Sequence, residues 1–346
     1  MGRHAESKLE QKKLIVVVGA TGNQGGSVAR RFIQDPRYAV RGLTRNPESP
    51  AAKELAALGV EVVQAELDDV KSLEAAFAGA NVIFSVTNYW EPFFRPDCRA
   101  KAAELGVTCR KYAYDVEYRQ GKNIADAAAT VAGGLDANGF LASTLSNSRK
   151  CTGGKIDDLY HFDAKADVFP DYVNAAHPEL AAKMSCIHTG FFTTSHRILP
   201  ESYFHRLADG TFEMRFPCSP TKPIPNLDVN ADTGNFTYAV SQMPAGKAYM
   251  AAEYLTWPEF AAAWQRVTGA SIAYKEISFD EMVAAMPDRD LGVEVGLMFL
   301  YSSEPGYDGQ MELLKAEDLR KAGIDCPMHT VEQSLAKMDW AGVLSK

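Results

Sequence analysis

The chain has 346 residues, 46% of them hydrophobic and 23% charged, the proportions of a globular protein with enough chain to bury a large core. Its 36 basic and 44 acidic residues leave a net charge of −8, which argues against a general nucleic-acid-binding surface. The six cysteines, Cys98, Cys109, Cys151, Cys186, Cys218 and Cys326, form no C-x-x-C pair, so zinc and redox-motif chemistry have no support and no metal site is expected.

Residues 1–12 are polar, lack the apolar core of a signal peptide and read as a flexible tail. No apolar run approaches the length of a membrane span, so the expectation is a cytoplasmic protein with reduced thiols and no membrane partner. The five apolar residues Leu14 to Val18 read as a buried strand. They run into Gly19, Gly22 and Gly25 at G-x-x-G-x-x-G spacing, and a helical pattern begins at Ser27-Val28-Ala29. Strand, glycine turn and helix in that order form a dinucleotide site. Glycines permit a tight turn and close backbone approach to a pyrophosphate, and a helix N-terminus offers it free N–H groups. Gly19, Thr21, Gly22, Asn23, Gln24 and Gly25 are the residues expected to line it.

Tyr38 to Thr44 reads as a second strand, ending in Thr44-Arg45-Asn46-Pro47. An NAD-preferring fold places an acid here for the ribose 2′-hydroxyl. None is present, and Arg45 offers a planar cation suited to a 2′-phosphate, so NADP(H) is the expected cofactor. A helix over Ala51 to Leu58 stops at Gly59, and a third strand runs from Val60 to Glu66. Leu67 and Asp68 follow where that strand would flank the adenine, with Asp68 or Asp69 equally suited to cap the next helix, Lys71 to Phe77. Asn81 to Val86 is a fourth strand. This cadence requires an α/β fold, a doubly wound parallel sheet.

The segments GATGNQGGSVARRF, VRGLTRNPESPAAKELAALGVEVVQAELDD and VIFSVTNYWE resemble the NmrA-like family of atypical short-chain dehydrogenases/reductases, which contains both redox-sensor proteins and fungal oxidoreductases. The resemblance implies a Rossmann domain binding NADP(H) over residues 13–195, with a smaller C-terminal α/β substrate lobe mainly over 196–346 and a soft boundary. Thr87, Asn88 and Tyr89 of the distinctive TNYWE string join the expected cofactor site. Residues 92 to 113 depart from the shorter members. Pro92 and Pro96 read as breaks, with a short helix at Ala100 to Leu105, and the excursion lies where a lid would be needed. A helical pattern resumes from Asp115 to Ala132.

Phe140 to Ser143 reads as the fifth strand, leading to Ser143, Thr144 and Ser146, any of which could present a hydroxyl to a reacting carbonyl or cap a turn. The resemblance aligns Ser143 with a family serine. Next comes YHFDAK, Tyr160 to Lys165. Short-chain chemistry uses Tyr-x-x-x-Lys; here His161 and Lys165 share a helix face, and Tyr160 is rotated about 100° away. The HFDAK string resembles the family, which lacks the tyrosine. Lys165 is expected to contact the nicotinamide ribose, and Lys165 or His161 to supply a proton, with a packing role for His161 left open. Met184 to His188 is a sixth strand, after which Gly190 would let backbone approach the nicotinamide and Phe191 would wall the pocket or join the core.

Beyond Ser195 no further nucleotide-loop glycines occur. Pro223 to Val240 reads as strand then helix with Asp232 as N-cap, Ala245 to Leu255 as strand, and Thr256-x-x-Glu259 as a capping box. Ile272 to Ile277 and Phe279 to Met286 make a strand–helix pair. Residues 291 to 303 are apolar and pack on the sheet or line the cleft; Leu313 to Lys321 and Val331 to Leu344 are closing helices. Two functions follow from the whole. One is an NADPH-dependent oxidoreductase acting on a small-molecule carbonyl, imine or activated alkene. The other is a non-catalytic NADP(H) sensor acting through a regulatory protein partner.

Overall fold

A computed structural model describes residues 12–345, so the tail expected over 1–12 lies outside the described residues except for its last position. Seven strands make the central sheet: β1 Lys13–Val17, β2 Tyr38–Thr44, β3 Glu61–Gln64, β4 Val82–Ser85, β5 Phe140–Thr144, β6 Met184–Thr189 and, from far along the chain, Ala248–Ala251. Their order is β3, β2, β1, β4, β5, β6 and then Ala248–Ala251, and every neighbouring pair is parallel. The direction of winding reverses between β1 and β4, which makes the carboxyl ends of those two strands the switch point where such sheets bind ligands.

The inner strands β4, β5 and β6 are buried at every position because both faces of the sheet are covered there. Alternate side chains go to opposite sides. Val16, Ile83, Phe140 and Ala142 pack against Ile124, Ala125 and Ala128 of the long helix Cys109–Ala129. Ile15, Val17, Phe84 and Leu141 pack against Val28 and Phe32 of the helix Asn23–Phe32 and against Phe236 and Val240 of the helix Val229–Val240. Those last two helices touch closely. A β-carbon on Gly234 would lie 2.7 Å from the Ser27 carbonyl carbon, and the Gly234 amide donates to the Ser27 hydroxyl at 2.9 Å.

The remaining strands form two three-stranded sheets. Phe191–Phe192, Ile224–Leu227 and Glu253–Leu255 make one; His205–Arg206, Phe212–Phe216 and Ile272–Glu276 make the other. Their core is aromatic: Phe191, Phe216, Trp257 and Phe299 lie ring on ring, with Phe216 and Phe299 stacked at 4.2 Å. The expected strand over 245–255 divides at Ala252, its first half joining the parallel sheet and its second half the smaller one.

Several expectations are corrected. The first helix starts at Asn23 instead of Ser27, so the glycine turn is shorter and its third glycine is already helical. Pro92 and Pro96 begin helices where breaks were expected. Pro92 falls in the first turn of Trp90–Phe94 and Pro96 opens Pro96–Glu104, positions where a missing N–H costs nothing. The helix read over 100–105 is the end of the latter, and residues 109–113 already belong to the long helix, capped by Thr108. Asp228, not Asp232, caps Val229–Val240; Asp232 is buried and accepts from the His329 amide at 2.8 Å. Residues 291–303 fall mostly in one helix, Arg289–Tyr301, and the closing segment over 331–344 splits into Val331–Ala336 and Ala341–Leu344. The Thr256–Glu259 and Thr330–Gln333 capping boxes are both present.

Candidate functional site

Gly19 sits at φ +64, the left-handed region that favours glycine, and carries the chain out of β1 into the turn. Its carbonyl takes the Gly22 amide at 2.9 Å. A β-carbon on Gly25 would lie 2.6 Å from the Gly19 carbonyl carbon and 2.8 Å from the Val18 oxygen. The three glycines are therefore demanded first by the turn folding onto its own helix. Gly22 stands at the N-cap and supplies no side chain, the first turn of Asn23–Phe32 has no acid, and Arg30 and Arg31 occupy the last turn. The helix thus leaves its N-terminal amides free of side-chain caps and uncompensated by an acid, the arrangement that receives a phosphate.

Neighbouring strand ends hold this turn. Thr21 and Thr44 hydroxyls meet at 3.3 Å beside β2, and the Ser143 hydroxyl at the end of β5 donates to the Gln24 side-chain oxygen at 2.7 Å. Arg45 projects into solvent past β2 and donates to the Glu91 carboxylate at 2.8 Å; Arg95 donates to the same oxygen at 3.4 Å. Because β1 lies between β2 and β4, the Arg45–Glu91 pair ties the two strand ends that flank the glycine turn.

At the end of β4 the Thr87 hydroxyl donates to Glu117 Oε1 at 2.7 Å, and the Lys165 ammonium donates to the same oxygen. Glu117 is fully buried on the long helix, and among the described residues its Oε2 has no hydrogen-bond partner. Four residues earlier than Lys165 on the helix Tyr160–Ala166, the His161 Nδ1 meets Glu294 Oε1 at 2.6 Å, and the same oxygen accepts the His161 amide at 2.8 Å. Glu294 Oε2 accepts from Arg110 Nε at 2.8 Å. Burial alone would raise the Glu294 carboxyl, but the His161 and Arg110 contacts outweigh it and hold it below the usual carboxylate range. Between His161 and Lys165, burial pushes the Asp163 carboxyl up to about 6 despite three bonds from Ser148.

Expected site residues thus divide. Gly19, Thr21, Gly22, Asn23, Gln24, Gly25, Arg45, Thr87, Ser143, His161 and Lys165 gather at the carboxyl ends of β1, β2, β4 and β5. Asn88 is exposed beside them and accepts from the Trp90 amide at 3.1 Å. Leu67 and Asp68 follow β3, where Asp68 pairs with Arg119 at 2.9 Å and Asp69 caps the next helix. Three others stand back from the cleft. The Tyr89 side chain is completely buried, its hydroxyl donating to the Arg110 carbonyl at 3.1 Å, so it supports the wall from behind. Phe191 is stacked into the aromatic core against Phe299. Gly190 is needed by a different backbone, since a β-carbon there would lie 2.5 Å from the Pro225 oxygen. Sequence reasoning missed Glu117, Arg110 and Glu294. The usable signal was a lone acid at 294 inside the apolar run 291–303.

Seven parallel strands, a glycine turn at their switch point and an uncapped helix N-terminus define a Rossmann-type fold of the doubly wound class. The chain belongs to the NmrA-like family, whose model matches residues 11–337. It is 41% identical over 144 residues to the NmrA-like family domain-containing oxidoreductase hkm9 of Aspergillus hancockii; that match spans 42% of this chain and only 37% of the relative. Against the similarly described oxidoreductase cpsB of Aspergillus campestris it is 29% identical over 81% of this chain and 80% of the relative. The structure of NmrA, a negative transcriptional regulator, in complex with NADP superposes with a TM-score of 0.68 at 20% identity, covering 95% of this chain and 96% of that one. Among the described residues no helix is long and apolar enough to cross a membrane, and no cluster of His, Cys, Asp and Glu is arranged to hold a metal ion.

Proposed function

We propose that this protein is an NADPH-dependent oxidoreductase that reduces a small carbonyl, imine or activated alkene. The observation that supports this reading is that Lys165 and His161, each held by a fully buried carboxylate, lie against the segment following β4, Lys165 through the Glu117 it shares with Thr87 and His161 against Tyr89 and Trp90. Holding a dinucleotide requires the turn; it does not require two nitrogen donors built against buried acids. The family relatives described as oxidoreductases support the same reading.

The residues present fit the cofactor. The turn from Gly19 to Gly25 offers free amides to a pyrophosphate, Arg45 a guanidinium to a 2′-phosphate, and Leu67 with Asp68 an edge for the adenine. Thr87, Asn88 and Lys165 would hold the ribose and nicotinamide end. When bound, the reduced nicotinamide supplies a hydride. This chain's part is to orient the acceptor, exclude water and deliver a proton from Lys165 or His161.

NADPH consumption should be followed with 4-nitrobenzaldehyde, 3,4-dihydroisoquinoline and 2-cyclohexenone, then repeated with Lys165→Ala under conditions where both proteins are folded. Wild-type turnover of at least one acceptor, reduced about 100-fold in the variant, is expected. If both proteins bind NADPH tightly and neither turns anything over, the oxidoreductase reading falls.

A second reading, an NADP(H) sensor, has its own observation. If Arg45 turns to a 2′-phosphate, Glu91 loses that partner, and with it the tie between β2 and the helices over 90–104 loosens. Differential affinity of that kind is what a switch needs. For both readings Arg45→Ala should weaken NADPH about tenfold or more while changing NADH less than about twofold, measured by calorimetry. Equal losses would remove the phosphate assignment.

A further inference from the structure

We infer that Glu294 is a positioning residue that fixes the His161 ring as the proton donor of this site, in place of the tyrosine missing from the helix; this rests on the oxidoreductase reading above. One Glu294 oxygen holds both the backbone amide and Nδ1 of His161, at 2.8 and 2.6 Å, so a single atom sets the main-chain position and the rotation of the ring. The other oxygen is held by Arg110 at 2.8 Å, and Arg110 in turn donates to the Asp158 carboxylate at 3.0 Å and to its carbonyl. Tyr89 and Trp90 lie 5.7 and 5.0 Å from the imidazole and confine its plane. Glu294 on the helix Arg289–Tyr301 bonds the ring directly; Arg110 reaches it through Glu294, Asp158 and the Tyr89 hydroxyl bond Arg110, and Lys165 is its neighbour on its own helix.

Among the described residues the other ring nitrogen, Nε2, makes no hydrogen bond, and the side chain as a whole is 7% exposed. A histidine retained for packing alone gains nothing from a buried acid clamped from two sides. With the Nδ1 proton committed to Glu294, the cationic ring carries its transferable proton on Nε2. The Nε2–H bond breaks as an O–H or N–H bond forms on the acceptor, and the electron pair for the acceptor carbon arrives with the hydride of the reduced dinucleotide. The ring is left neutral with Nδ1–H on Glu294, and Nε2 takes its next proton from water.

The test combines a spectrum that needs no cofactor with kinetics. In protein labelled with 15N-histidine, the signals lost in His161→Gln identify His161. The neutral ring is expected as the Nδ1–H tautomer in the wild type, and this preference should disappear in Arg110→Met/Glu294→Leu, which removes both buried charges together. With the best of the three acceptors above, Glu294→Gln should lower kcat about tenfold and His161→Gln about 100-fold, with KM and NADPH affinity within about twofold of wild type. An unchanged tautomer in the double variant, or full kcat in His161→Gln, would overturn the inference while leaving the oxidoreductase reading intact. A wild type that turns over none of the acceptors, with the tautomer preference present, would instead sink the reading itself and reduce the Glu294 contact to a structural one.

Discussion

Gly25→Ala should abolish dinucleotide binding. The added β-carbon would be driven into the Gly19 carbonyl, 2.6 Å from its carbon, and the Val18 oxygen is only 2.8 Å away. Both obstacles are backbone, so no side chain can swing clear. Relief requires the first turn of Asn23–Phe32 to tilt off Gly19, which disperses the free amides that would meet the pyrophosphate. The expected result is a loss of NADPH affinity of more than about 100-fold, with a stability loss of about 1–3 kcal/mol from overpacking. Gly59→Ala is the control. Gly59 is also left-handed, at φ +94, but nothing lies near its missing β-carbon, so this variant should lose about 1 kcal/mol and bind NADPH normally. Normal binding by Gly25→Ala would show that the turn is not the phosphate site.

Lys165→Met should cost about 3–5 kcal/mol of stability even without cofactor, read from urea unfolding. The reason lies with its partner. Glu117 has no exposed surface, and among the described residues its Oε2 has no hydrogen-bond donor and, without the ammonium, the Thr87 hydroxyl alone would face its Oε1. A buried carboxylate left in that state is far costlier than the pair it came from. Lys165→Met/Glu117→Leu should therefore recover most of the loss, because two apolar groups replace two charges together. A single variant as stable as the wild type would mean that the pair is open to water. The distinction bears on activity, since loss of turnover in the double variant at restored stability would belong to the missing ammonium alone.

The parts of the fold that local pattern controls were legible from the sequence. β2 runs from Tyr38 to Thr44 as read, because Tyr38, Val40 and Thr44 favour a strand and Pro36 and Pro47 bound it. The Thr256–Glu259 capping box was legible because it is complete within four residues. Proline was misread at 92 and 96 because its meaning depends on which side of a helix start it falls, and that was set by tertiary packing of the excursion onto the long helix. Asp232 was misread because burial with His329, nearly a hundred residues away, claims it before any cap can. The site divides in the same way. The glycine turn, Arg45 and the His161–Lys165 face are local features and were visible. Glu117 and Glu294 are not local. Glu294 is a single acid on an apolar helix stretch, whereas Glu117 stands among charged residues two positions from Asp115, and the meaning of each appears only when the fold brings His161 or Lys165 against it.

The most direct measurement is isotopic. NADPH carrying deuterium at both C4 positions of the nicotinamide, incubated with the protein and the acceptor it consumes best, should yield product one mass unit heavier with the label on the reduced carbon. The same label should appear about 100-fold more slowly with Lys165→Ala. NADPH recovered unchanged with all three acceptors, from a protein that binds it tightly, would contradict the assignment of catalysis and leave a dinucleotide-binding switch in its place.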